Sequence, residues 1–94
     1  MVKIWHLLIE QDAKKQFLKL PKNLQSRILD YFEDRVLIAP DPLVFASPLS
    51  GEMAGLHRFR IGDYRVITNV DKGKLIIVAV AIGHRKEIYK KTRH

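Results

Sequence analysis

Six side chains in the C-terminal half of this chain have types and spacing suited to chemistry: Arg58, Arg60, Arg65, His84, Arg85 and Tyr89. Arg58 and Arg60 alternate with His57, Phe59 and Ile61, so in an extended segment both guanidiniums point to one face. Gly62-Asp63 suits a two-residue turn with glycine in the first place, and that turn sets Arg60 across from Arg65 and Arg58 across from Ile67. Like charges facing each other destabilise a hairpin. The pairing makes more sense when an anion lies between the two cations, and a phosphate fits. A third strand returning antiparallel brings Ile82 to Arg85 back beside Tyr64 and Arg65, so His84 and Arg85 join the cluster. Whether His84 shares the face of Arg65 depends on the Asp71 to Gly73 turn, because one bulged residue reverses the parity.

Such a set suits cleavage of a phosphodiester by the neighbouring ribose hydroxyl, which requires positioning, dispersal of negative charge and proton movement. Guanidiniums do the first two. His84 has the side chain best suited to moving protons near neutrality, and Tyr89 can stack on a base. No carboxylate cluster accompanies the arginines and the four histidines lack metal-binding spacing, so the expected cleavage uses no metal and no cofactor. Gly51 and Gly73 are isolated rather than part of a phosphate-cradling loop, and there is no serine elbow; no small-molecule substrate is expected. Taken singly, each residue has an ordinary reading, since arginines on a solvated strand face keep a sheet soluble and a lone tyrosine packs. Their convergence is what favours a phosphate-binding face. His6, His57 and His94 are read as structural or incidental.

The elements that must position this set follow from hydrophobic period. Lys3 to Glu10 carries Ile4, Trp5, Leu7, Leu8 and Ile9, apolar on both faces, as expected of a strand inside a sheet rather than at its edge. Trp5 is expected to pack. Asp12 is the expected N-cap of a first helix bearing Ala13, Phe17 and Leu20, which Pro21 interrupts. Pro21 also suits the first turn of a second helix, with Leu24, Ile28, Phe32 and Val36 on one row and Lys22, Gln25, Arg27 and Glu33 mostly elsewhere on the surface. Ala39 to Gly55, with three prolines and two glycines, is expected to be a long, mostly irregular connection. Strands follow from Leu56, over Tyr64 to Val70 and over Lys74 to Ile82, with Lys72-Gly73 in the second turn. The fold class is α+β: an N-terminal strand, a helical hairpin, then a three-stranded antiparallel meander forming a small sheet, with a short C-terminal tail.

At 94 residues, 47% hydrophobic and 29% charged, the chain is read as a single folded domain spanning 1–94. The apolar run Val2 to Ile9 is too short to cross a bilayer, and no membrane association is expected. Absence of cysteine excludes thiol chemistry and fits a cytoplasmic setting. A formal charge of +7 attracts polyanions, either nucleic acid or an acidic protein.

Pro48-Leu49-Ser50-Gly51, Gly55 to Ile67 with its Gly62-Asp63-Tyr64-Arg65 hairpin, and Ile82-Gly83-His84-Arg85-Lys86-Glu87-Ile88-Tyr89 together resemble the RelE/ParE superfamily of type II toxin–antitoxin toxins, closest to the RelE-like mRNA interferase branch. The preceding strand and helical hairpin match too, so the resemblance covers nearly the whole chain. It implies a ribosome-dependent endoribonuclease that cleaves mRNA and so inhibits translation. On that resemblance Arg65 and Arg85 hold and neutralise the scissile phosphate, Tyr89 stacks on or orients an mRNA base, His84 serves as acid or base, and Arg58 and Arg60 bind the RNA backbone. It also implies three partners: a cognate antitoxin with an acidic or amphipathic segment, the ribosome, and mRNA. Two other readings stand beside it. One is a ParE-like protein that inhibits DNA gyrase by binding, a branch that usually lacks the basic set. The other is a relative that no longer cleaves and survives as a binding partner.

Overall fold

The computed structural model describes residues 3–89. Val2, His94 and the tail beyond Tyr89 lie outside the described residues. Strand β1 (His6–Ile9) leads into helices α1 (Gln11–Leu18) and α2 (Lys22–Tyr31). Strands β2 (Ala46–Pro48), β3 (His57–Ile61), β4 (Tyr64–Asp71) and β5 (Ile76–His84) follow. The α+β class holds, with five strands in the order β1-β5-β4-β3-β2. β1 runs parallel to β5 and the remaining pairs are antiparallel. Among the described residues no helix is long and apolar enough to cross a membrane.

Two expectations about strands need correction. β1 is an edge strand, not an interior one. Leu7 and Ile9 pack on the core beneath the helices while Leu8 is 53% exposed. Apolar residues on both faces say nothing about neighbours along the sheet, and β1 has only β5 beside it. The Ala39 to Gly55 connection is also more ordered than its prolines suggested. Pro42–Phe45 and Gly51–Met53 form 3-10 turns, and Ala46–Pro48 pairs with β3, Ser47 opposite Arg58. At a sheet edge, proline costs no interior hydrogen bond, so Pro48 is tolerated there.

The helices show the expected apolar row with two changes at its ends. The N-cap of α1 is Glu10 rather than Asp12, which instead sits in the first turn, where its charge favours the positive end of the helix. Pro21 occupies the cap position of α2 rather than its first turn. Ile28, Phe32 and Val36 are buried, and Leu24 is half-buried. After Tyr31 the helix widens into a π-helical turn over Phe32–Val36, where the Leu37 N–H donates to the Phe32 carbonyl at 2.9 Å. That extra residue turns both Val36 and Leu37 inward. The Leu37 carbonyl then accepts from the N–H groups of Ile4 and Trp5, tying the start of the chain to the end of the helix. Trp5 is buried in the core, as expected.

Gln25 is buried, contrary to its assignment to the surface. Its Nε2 donates to the carbonyls of Leu20 at 2.9 Å and Leu18 at 3.4 Å, satisfying acceptors that the end of α1 leaves open. Gln25→Ala is therefore expected to destabilise the fold by about 1–2 kcal/mol. Urea unfolding should show a lower midpoint at unchanged slope.

The sheet separates two apolar layers. On one side Phe17, Ile28 and Phe32 meet Phe59, Val66, Ile77 and Ile82. On the other, Ile67, Ala81 and Ile88 form a smaller cluster with Leu49, Met53 and Leu56 around it.

Candidate functional site

The hairpin between β3 and β4 has the expected register. Gly62 takes φ 60° in the turn, Ile61 pairs with Tyr64, Arg60 with Arg65 and Arg58 with Ile67. Phe59 and Ile61 face the helices, so Arg58, Arg60 and Arg65 emerge on the opposite side, the side of the Ile67 cluster.

Arg65 is only 7% exposed. Its Nη1 donates to the carbonyls of Gly62 and Tyr64, both at 2.9 Å, which pins the guanidinium at the base of the turn. Burial, then the charges of Arg60 and Arg58, hold its pKa below the ordinary guanidinium value. Tyr89 and Arg85 also act electrostatically on Arg65. A lowered pKa on a cationic group means that the fold disfavours its charge, and an anion placed there relieves the cost. Arg58 Nη1 donates to the Tyr89 hydroxyl at 2.8 Å, while its buried Nε has no hydrogen-bond acceptor among the described residues.

Delivery of the C-terminal residues depends on a β-bulge. Ile67 pairs with Ala81 but Thr68 pairs with Ala79, so Val80 is the extra residue in β5. Beyond it, Gly83 lies opposite Arg65 and His84 opposite Tyr64. The reversal of parity thus arises inside β5 and not in the Asp71 to Gly73 turn. It sets Gly83 directly beneath Ile88, whose Cδ1 would stand only 3.3 Å from an added Cβ. The chain then folds back so that Ile88 is fully buried on Ile67 and Ala81, with Tyr89 packed against the same cluster.

Of the expected site residues, Arg58, Arg60, Arg65, Arg85 and Tyr89 gather around one face. The His84 ring does not. It sits edge-on to Tyr64, centroids 5.5 Å apart, on the side toward the helices. His57 also faces that side, with its Nδ1 buried and without a hydrogen bond among the described residues, and His6 is exposed on the edge strand. Glu52 and Met53 were not singled out beforehand, and Ser50 only within the Pro48-Leu49-Ser50-Gly51 stretch. They line a hollow of about 370 Å³ with Tyr89. Their position in a loop rich in glycine and proline was the available signal. Arg60 stands beyond the last β2 pairing, at the open edge of β3, and also borders a hollow of about 370 Å³ on the helix side with Arg27 and Arg35, where Asp30 and Asp34 offset the positive charge.

A family model described as "ParE toxin of type II toxin-antitoxin system, parDE" matches residues 7–89. The chain belongs to this toxin family. The toxin is 29% identical over 80 residues to Toxin RelG of Mycobacterium tuberculosis, covering 84% of this chain and 88% of that protein. Its fold superposes on the toxin–antitoxin complex RelBE2 of the same organism with TM-score 0.78 and 24% identity, over 89% of this chain and 100% of that one. The archaeal RelE–RelB complex of Pyrococcus horikoshii is 29% identical, TM-score 0.66, over 87% and 96% of the two chains. Membership of the RelE/ParE superfamily, expected from the arginine strand and the Gly-Asp-Tyr-Arg hairpin, is thereby established.

At the rim of the toxin's basic face, the Arg85 N–H donates to the Asp63 carbonyl at 2.8 Å, and its Nε lies 3.7 Å from Asp63 Oδ1. Both side chains are exposed, so the ion pair contributes little while the backbone bond holds the position. Asp63→Ala is expected to change stability by less than about 1 kcal/mol. Thermal unfolding in low and high salt should barely separate the variant from the parent.

Proposed function

We propose that the toxin is an endoribonuclease that cleaves mRNA on the ribosome, without a metal, by attack of a ribose 2′-hydroxyl on the adjacent phosphate. The observation that carries this reading is Arg60 standing directly opposite a buried Arg65, with Arg58 and Arg85 beside them. In the reaction the 2′-hydroxyl gives its proton to solvent water, its oxygen bonds to phosphorus, the bond from phosphorus to the 5′-oxygen breaks, and a 2′,3′-cyclic phosphate is left on the upstream fragment; solvent later returns a proton to the group that protonates the 5′-oxygen. Arg65 and Arg85 neutralise the non-bridging oxygens as charge builds there. Arg58 and Arg60 hold the flanking backbone. Tyr89 lines the hollow together with Met53, and a base can stack on its ring. Its hydroxyl accepts from Arg58 and keeps its own proton to give to the departing 5′-oxygen.

The solved relatives named above are complexes of toxin with antitoxin. By analogy, and given the +7 charge, the toxin's partner is a cognate antitoxin whose acidic or amphipathic segment covers the arginine face in the cytoplasm. Membership of the ParE toxin family leaves a second reading beside the first, a ParE-like inhibitor of DNA gyrase. Inducing the toxin without antitoxin separates the two. Loss of protein synthesis before any DNA breakage supports mRNA cleavage, whereas DNA breaks and a damage response that precede translation arrest support gyrase.

A further inference from the structure

The His84 side chain is engaged on the face away from the arginines, and its partners are those of a turn. Its Nδ1 accepts from the Lys86 N–H at 3.1 Å, and its carbonyl accepts from the Glu87 N–H at 2.9 Å. Between these two bonds lies Arg85, whose own N–H is fixed to the Asp63 carbonyl at 2.8 Å. The ring is steadied edge-on by Tyr64 at an interplanar angle of 83°. Directly after this turn the chain delivers Ile88 and Tyr89 to the arginine side. We infer that His84 is a positioning residue: its Nδ1 holds the turn over 84–87 that sets Arg85 and Tyr89 beside Arg65 and Arg58, and its ring exchanges no proton with RNA.

A proton carrier must come within hydrogen-bond reach of the reacting oxygen, directly or through one water. His84 pairs with Tyr64 while Arg65 pairs with Gly83, so the sheet backbone separates the imidazole from the basic face. Because Nδ1 accepts, the proton of the neutral ring is on Nε2. The contact from a side-chain acceptor to the N–H two residues later is the one that asparagine makes in Asx turns. Asparagine Oδ1 and imidazole Nδ1 occupy the same place along the side chain, one bond beyond Cγ. Asparagine can therefore keep the brace while removing the imidazole ring.

This inference rests on the reading of the arginine face as an RNA-cleaving surface, and the experiment separates the two. The parental toxin, His84→Asn and His84→Ala are compared by cleavage of mRNA on programmed ribosomes across pH, and by exchange of the Lys86 amide proton followed by NMR. His84→Ala is expected to lose about tenfold or more in rate and the protection of Lys86, as one hydrogen bond and the geometry it fixes are removed. His84→Asn is expected to restore both, with the parental pH profile. Asparagine as inactive as alanine, or a pH profile that has lost a limb, would overturn the inference, as would full activity of the alanine variant. If the parental toxin does not cleave RNA, the proposed function fails. Equal protection of Lys86 in the parent and the alanine variant would then still overturn the bracing role.

Discussion

Arg65→Ala is expected to lower the rate of RNA cleavage by about 10² to 10³, the usual consequence of removing one preorganised group from a centre of developing negative charge. Arg65 is the most enclosed of the four arginines, and its Nη1 is committed to the carbonyls of Gly62 and Tyr64. Nε and Nη2 make no hydrogen bond among the described residues and are left for a phosphate. The variant should also lose stability, by about 1–3 kcal/mol, because two carbonyls at the turn lose their donor. Relief of repulsion from Arg60 and Arg58 offsets part of that cost. Arg65→Lys keeps the charge but offers one compact ammonium in place of a planar fork, so it should recover more of the folding than of the activity. Single-turnover cleavage and urea unfolding, measured on both variants, check the two halves separately. Cleavage by Arg65→Ala within a few-fold of the parent would remove Arg65 from the assigned role.

Ile88→Ala should be nearly as damaging to cleavage. Ile88 is fully buried against Ile67 and Ala81, and its Cδ1 fills the space over Gly83. Truncating a core isoleucine costs about 2–5 kcal/mol when the cavity persists. Here the segment carrying Ile88 follows β5 and can detach while the five-stranded sheet stays intact, which limits the global loss. Detachment removes Tyr89 from Arg58 and loosens Arg85. Since small misplacements of catalytic groups cost up to about 10²-fold, a loss of that order in cleavage is expected. Limited proteolysis should reveal new cutting after His84, with the sheet protected. A released C-terminal segment together with parental cleavage would contradict the account, because Arg85 and Tyr89 would then be dispensable.

Much of the arginine face was legible from the sequence because its determinants are local. A two-residue turn beginning with glycine fixes the pairing of the strands it joins, so Arg60 opposite Arg65 follows from counting outward from Gly62 and Asp63. The apolar row Ile28, Phe32 and Val36 is local in the same way. What could not be read depends on contacts far apart in the chain. β1 finds its edge position only by pairing with β5, and β2 exists because β3 offers an open side. Burial of Gln25 depends on carbonyls at the end of α1, which no hydrophobic pattern encodes. The orientation of His84 turned on a single residue, Val80, inside an apolar strand whose sequence shows no break. Without that bulge Ile82 would lie opposite Arg65, and Gly83 would not.

The most direct test is the cleavage of ribosome-bound mRNA carrying a single 2′-deoxynucleotide at the position where the all-ribose message is cut. The all-ribose message is expected to yield an upstream fragment ending in a 2′,3′-cyclic phosphate, the deoxy substitution to block cutting at that linkage, and Arg65→Ala combined with Arg85→Ala to leave the message intact. Cutting at the deoxy linkage, or parental cleavage by the double variant, would contradict this mechanism.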